Sequence, residues 1–415
     1  MVRSLKGKVF YGWVIVASCL IIAAVMLGIR YSFGVFFKPL ANEFELSRLA
    51  TSSINSLLMV FSAVFAFTGG WALDRFGPKR VVLVMGISSG LGLLLTSIAN
   101  SLWQLFIVYS FLLGIGTGAA VPVLMSIVSR WFDKKRGLAL GISSSGTALG
   151  PFILAPLSAF LIATFSWRTA NIILGIIAAA LIIAVSRSLL SHPHEIGALP
   201  DGMNTNVVLA GVNAQKNNSK PRLLSLSQAL KTRGFWFIFA TWLFFALSLN
   251  LVLTHLVPHA TDSGIPTMEA ATLVSIVAGV CVVSRTLIGL LSDFIGRKIP
   301  SVVSLLLQAA AMVWLIWARE PWAFYLFAVV FGLCWGGYGM LSIAVAVDTF
   351  GVLNLGVIMG ALDVGFALGS ALGPAIGGYV FDITSTYTAA FIISAALVVL
   401  AAILVVLVKK EVSTG

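Results

Sequence analysis

Long apolar runs separated by short polar breaks set the pattern of this chain. Twelve runs are read, at 11 to 37, 51 to 73, 81 to 99, 103 to 129, 137 to 163, 168 to 190, 234 to 257, 268 to 291, 299 to 318, 322 to 347, 354 to 381 and 388 to 408. Runs of ~18 residues or more cross the hydrocarbon core as helices, which satisfy their own backbone groups where water cannot. The longest polar stretch, Ser191 to Arg233, contains Pro193, Pro200, Asn204, Asn206, Asn217, Asn218 and Pro221 and reads as a linker. It divides the chain into a first six-helix half, 1–190, the linker, 191–233, and a second six-helix half, 234–415.

The halves repeat each other. Gly70-x-x-x-Asp74-Arg75-x-Gly77-x-Lys79-Arg80 recurs 219 residues later as Gly289-x-x-x-Asp293-x-x-Gly296-Arg297-Lys298. Gly137, Gly141, Gly146, Ala148, Leu149 and Gly150 recur at the same offset as Gly356, Gly360, Gly365, Ala367, Leu368 and Gly369. Gly146 to Pro151 also resembles Gly369 to Pro374. Duplicated halves in a membrane protein mark a transporter that rocks one half against the other around a central site. The expected fold is an all-α membrane protein with twelve transmembrane helices in two pseudo-symmetric halves.

Composition agrees: 59% of residues are hydrophobic and 10% charged, with a mean hydropathy of +1.05, against roughly 25% charged in soluble domains. Of the 26 Lys and Arg, Lys38, Arg48, Arg168 and Arg319 fall in loops on one side and Arg30 and Arg285 inside spans; the rest fall on the other side. The positive-inside rule makes that richer side cytoplasmic, with both termini there, as in a plasma or bacterial inner membrane. The net charge of +12 then faces anionic lipid and calls for no nucleic acid. Met1 to Val9 reads as the start of a retained first helix, and the Asn217-Asn218-Ser219 sequon in a cytoplasmic linker is silent. Cys19, Cys281 and Cys334 stand singly, with no disulfide or metal spacing, and neither a metal nor a cofactor is expected.

In each half the repeated loop joins the second and third helices. Gly77 and Gly296 permit a tight turn, and Asp74 and Asp293 face helix N-termini or the neighbouring Arg and Lys. The eleven residues Gly70, Asp74, Arg75, Gly77, Lys79, Arg80, Gly289, Asp293, Gly296, Arg297 and Lys298 are read as a breakable cytoplasmic latch. The glycines near Gly146 and Gly369 suit gating helices at a domain interface, or plain close packing.

These features together resemble the major facilitator superfamily over the whole chain except the linker. A narrower resemblance, to the monocarboxylate porter family, lies in Trp131-Phe132-x-Lys134-Lys135-Arg136-x-Leu138-Ala139-x-Gly141-x-Ser143-x-x-Gly146. Tyr11-Gly12-Trp13-Val14 and Arg30-Tyr31-Ser32-Phe33-Gly34 are similar to that family and to the related oxalate/formate exchangers. The resemblance implies transport of a small monocarboxylate of the lactate or pyruvate type, by proton symport and as a monomer.

Arg30, Arg285 and Asp363 are the charges well inside the spans, where each costs about 2.5 to 3.5 kcal/mol at a helix centre. Arg285 presents a planar fork that matches a carboxylate, which makes it the expected substrate anchor. Arg30 approaches from the external side. In the resembled family helices eight and eleven face the central cavity, so Arg285 and Asp363 can form an ion pair there. Those porters carry the coupled proton on an Asp one turn before the helix-eight Arg. That position is Cys281 here, and Asp363 is the candidate replacement. The exchangers carry a second basic residue near this point of helix eleven, so Asp363 argues against oxalate-type exchange.

Tyr31, Asn250, Trp335 and Tyr338 are weaker lining candidates, polar tips on otherwise apolar surroundings. His255 and His259 share a helical face at the outer end of helix seven, expected to be exposed, and His255 is the second candidate for proton coupling. No nucleophile, metal cluster or phosphate loop of known type argues for an enzyme. The alternatives to proton symport are a uniporter or exchanger for another organic anion, a drug exporter, or a transport-dead sensor.

Overall fold

The computed structural model describes residues 10–132, 135–199, 226–350 and 355–408, apart from the side chains of Asp74, Arg136, Gly137, Thr286, Gly289, Leu290, Asp293, Phe294 and 355–357. Twelve helices long and apolar enough to cross a membrane follow one another: α1 Gly12–Glu43, α2 Arg48–Phe76, α3 Pro78–Thr96, α4 Leu102–Trp131, α5 Arg136–Thr164, α6 Trp167–Ser186, α7 Arg233–Asp262, α8 Thr267–Ile295, α9 Lys298–Trp317, α10 Pro321–Phe350, α11 Leu355–Thr384 and α12 Thr388–Leu407. Several outrun their apolar cores, because polar caps extend them beyond the hydrophobic run. Ser47 accepts from the Ala50 N–H at the start of α2, and Thr232 accepts from Phe235 at the start of α7. The helix of α1 is interrupted at Ser32, whose hydroxyl donates to the Gly28 carbonyl.

An even number of crossings puts both ends of the described chain and the described parts of the linker on one face of the bundle, here termed the linker face. Short turns there join α2 to α3 and α8 to α9 through Gly77 (φ 77°, ψ 164°) and Gly296 (φ 84°, ψ 167°). The matching backbone in a region L side chains avoid is the physical content of the repeated loop.

Glycines set the packing inside each half. A Cβ on Gly146 or Gly150 of α5 would strike the Leu20 or Ala24 carbonyl of α1, and one on Gly369 or Gly373 of α11 would strike the Leu243 or Leu247 carbonyl of α7. Small residues four apart let backbones touch, the usual basis of helix association in lipid. Both pairs lie within a half, so these glycines serve close packing and not the interface between halves. The contacts keep the offset of 219 that relates Gly77 to Gly296: Gly146 abuts the Leu20 carbonyl as Gly365 abuts that of Phe239, and Gly150 abuts the Ala24 carbonyl as Gly369 abuts that of Leu243. The constant offset expected from sequence holds for the loops and for these contacts of α5 and α11. Gly137 and Gly356, on which it also rested, lie outside the described side chains.

Candidate functional site at the seam between the halves

Two helix pairs, α2 with α11 and α5 with α8, meet across the seam that separates the halves. The three intramembrane charges are disposed along it. Arg285 of α8 is half-buried, and its Nη1 donates to Thr147 Oγ1 of α5 at 3.1 Å. Its guanidinium also reaches the Cys281 sulfur one turn away. Arg30 of α1 donates through Nε and Nη2 to the Met59 sulfur at 3.1 and 2.6 Å and lies over the Tyr31 ring. A thioether is a weak acceptor, so two guanidiniums with five donors each stand at membrane depth with no carboxylate in contact among the described residues.

Asp363 lies near enough to Arg30 to feel its charge. No ion pair joins it to Arg285, contrary to the expectation from sequence; Arg285 is turned toward α5 instead. The Asp363 side chain has free surface although protein surrounds it on most sides, as a residue in a cavity wall does. Its electrostatic partner belongs to the other half, which places it on the seam. Tyr31 and Trp335 also meet there, edge to face at 5.6 Å between ring centres.

Away from the linker face the seam is shut. Both Asp382 oxygens accept backbone N–H groups at the start of α2, from Arg48 and Leu49, at 2.8 Å each. The Arg48 guanidinium grips Asp262 at 2.8 and 3.1 Å, donates to the Tyr387 hydroxyl at 2.8 Å and lies over the Phe381 ring at 4.3 Å. Lys38 reaches Asp262 at 2.7 Å, and Asn55 donates to Thr254 at 2.8 Å. Deeper in, Ser275 of α8 donates to the Phe152 carbonyl of α5 at 2.8 Å. The hydrogen bonds between described residues that cross the seam run from this closed face as far as Arg285 and Thr147. Beyond them, toward the linker face, a Cβ on Gly141 of α5 or Gly360 of α11 would meet nothing.

The profile of the Major Facilitator Superfamily matches residues 19–293 and 282–414. The chain belongs to that superfamily. As a facilitator it is a multi-pass membrane transporter and not an enzyme. It is 28% identical to monocarboxylate transporter 11 of Homo sapiens over 94% of this chain and 81% of that protein, and 27% identical to monocarboxylate transporter 13 of Bos taurus over 93% and 86%. Its fold is that of a bacterial homolog of the human lysosomal transporter Spinster. The inward-facing, occupied form of that protein gives a TM-score of 0.74 at 15% identity, covering 97% of each chain.

Other candidate residues of this facilitator fall elsewhere than expected. Tyr338 is buried against Phe245, with ring centres 4.7 Å apart, and Asn250 is buried with its amide on the Ala246 carbonyl and Ser370, so both sit in the packing of the second half. His255 and His259 are buried, not exposed as the helix end suggested. His255 Nε2 lies 2.9 Å from the Pro374 carbonyl, an acceptor, and so carries the hydrogen of the neutral ring; Nδ1 then accepts from the Tyr387 hydroxyl at 3.1 Å. The three cysteines are buried packing residues.

On the linker face Arg297 pairs with Asp348 of α10 at 2.7 Å, and Lys298 donates to the Val408 carbonyl after α12. Arg75 rests over the Trp71 and Phe76 rings, while Lys79 and Arg80 are exposed; a Cβ on Gly70 would meet nothing. The side chains of Asp74, Gly289 and Asp293, the signature residues Lys134 and Arg136, and the sequon Asn217-Asn218-Ser219 lie outside the described residues.

Sequence reasoning missed the closed face. Arg48 was legible only as a loop charge, and the signal available was the scarcity of charges on that side: Lys38, Arg48, Asp262 and Asp382 are among them, and all four interlock.

Proposed function

We propose that this facilitator carries a small monocarboxylate of the lactate or pyruvate type across the plasma membrane, such as a bacterial inner membrane, by proton symport. The observation that carries the reading is the pair of half-satisfied guanidiniums, Arg285 and Arg30, one from each half, at a seam that is closed on the face opposite the linker. With Asp363 the three charges leave one net positive charge, which a monoanion neutralises. The monocarboxylate transporters among its relatives support the same substrate class.

In this proposal the linker face is cytoplasmic, with both termini there, and the conformation is inward-facing. The halves 1–190 and 234–415 rock about the seam, the linker 191–233 tethers them, and the Gly70 to Arg80 and Gly289 to Lys298 loops act as latches when the linker face closes. Arg285 anchors the carboxylate, Arg30 meets it from the external side, and Tyr31 and Trp335 border it. Asp363 carries the proton, since a substrate anion that occupies Arg30 leaves this carboxylate uncompensated in a low-dielectric site. His255 is the second candidate, reached when the external face opens. The transporter acts as a monomer.

Uptake of labelled pyruvate and L-lactate into proteoliposomes, with and without an inwardly acid-driven pH gradient, tests the reading. Accumulation driven by the gradient supports it. Equilibration without gradient-driven accumulation would point to a uniporter, and no uptake of either acid would refute the substrate class.

A further inference from the structure

Arg285 has a partner that the carboxylate reading leaves without a task. The Thr147 hydroxyl that accepts from Arg285 Nη1 at 3.1 Å also donates to the Ser144 carbonyl at 2.8 Å, one turn back on α5. A hydroxyl has one hydrogen, and with it committed to Ser144 the oxygen offers only lone pairs to α8. A helical Thr is stiff at χ1, and the bond to the carbonyl three residues back selects one of its two rotamers. The acceptor facing Arg285 is therefore fixed in place and in direction.

A guanidinium is planar, so holding one of its nitrogens restrains the whole fork. The other contact, the Cys281 sulfur, is too weak an acceptor to do this. An Arg on a flexible stem otherwise loses rotamer freedom when a ligand binds, which reduces affinity. We infer that Thr147 is a positioning residue for substrate. Its hydroxyl holds one edge of the Arg285 fork, so that the remaining N–H groups meet the carboxylate of a small monocarboxylate in a preset plane. This inference rests on the carboxylate reading above. Because the bond spans the seam, the preset fork belongs to the conformation closed on the face opposite the linker.

The test uses the purified full-length protein, by thermal-shift titration with pyruvate, L-lactate, acetate and butyrate and by labelled pyruvate uptake in proteoliposomes. Thr147→Val keeps the shape and removes the hydroxyl; Thr147→Ser keeps the hydroxyl; Arg285→Lys serves as reference. Thr147→Val should weaken apparent affinity about tenfold, the scale of a hydrogen bond to a charged group. Its maximal rate should stay within about twofold, as expected when binding alone is lost. Thr147→Ser should restore wild-type affinity, an outcome that a loss of packing does not give. If Thr147→Val does not fold, Thr147→Ala removes the same hydroxyl with the same expected result.

Wild-type affinity in Thr147→Val, or equal weakening in Val and Ser, overturns the positioning role while leaving Arg285 as anchor, provided Arg285→Lys has lost binding. Wild-type binding by Arg285→Lys, or no response of the wild type to any of the four acids, overturns the carboxylate reading and this inference with it.

Discussion

The Asp382 carboxylate caps a helix of the opposite half: its two oxygens take the backbone N–H groups of Arg48 and Leu49 at 2.8 Å each. A helix N-terminus has unsatisfied N–H groups and a partial positive charge, so a carboxylate there satisfies both. When the halves separate on this face, the cap is exchanged for water.

Asp382→Ala should therefore favour opening of that face. Loss of a helix cap costs typically about 1 kcal/mol, several-fold in a two-state equilibrium. Ser56, between Ser52 and Met59 on α2, offers a probe position. In a background with the three native cysteines replaced, Ser56→Cys should react several-fold faster with an impermeant maleimide from the outside once Asp382 is removed. An unchanged labelling rate would show that the cap does not hold the face shut.

Arg285→Lys should lose most transport although it keeps the charge. An ammonium cannot make two parallel bonds to a carboxylate, and about tenfold or greater loss in kcat/KM for pyruvate is expected from a charged hydrogen bond. Wild-type kinetics would remove Arg285 from the anchor role.

Asp363→Asn should still bind and exchange labelled substrate yet fail to concentrate it in response to a pH gradient. The amide imitates the protonated acid and cannot release a proton. If gradient-driven accumulation survives, the coupled proton is carried elsewhere and His255 is tested next.

Gly150→Val and Gly373→Val should each destabilise the protein, whereas Gly141→Ala and Gly360→Ala should not. The first two positions abut the carbonyls of Ala24 and Leu247, while the latter two face open space. Overpacking costs about 1 to 3 kcal/mol and more where backbone must move. Melting temperatures in one detergent compare all four; equal effects would contradict the packing.

Span locations were legible in the sequence, because lipid forces long apolar runs whatever the packing. Arg30, Arg285 and Asp363 were legible because charge at that depth is costly. Partners were not. The Arg285 and Asp363 side chains lie at similar depth by residue count, but helix rotation and the long Arg side chain decide whom each meets, and Arg285 meets Thr147. Asp382 and Arg48 are 334 positions apart, at the ends of two helices without any shared motif. The likeness of Gly146 to Pro151 with Gly369 to Pro374 lies about one helical turn from the constant offset, because glycines four apart repeat along the same face of each helix.

The Tyr387 hydroxyl stands in a file of committed hydrogens. Arg48 donates to it, it donates to His255 Nδ1, and His255 Nε2 donates to the Pro374 carbonyl. One end of the file is a guanidinium that does not give up its proton at ordinary pH, and the other is a backbone oxygen that does not keep one. With the ring in this tautomer and the face shut, the hydrogens along this path are committed to partners. Under the proposed proton symport, committed hydrogens at a closed gate would hinder protons from crossing without cargo, which would otherwise discharge the membrane for nothing.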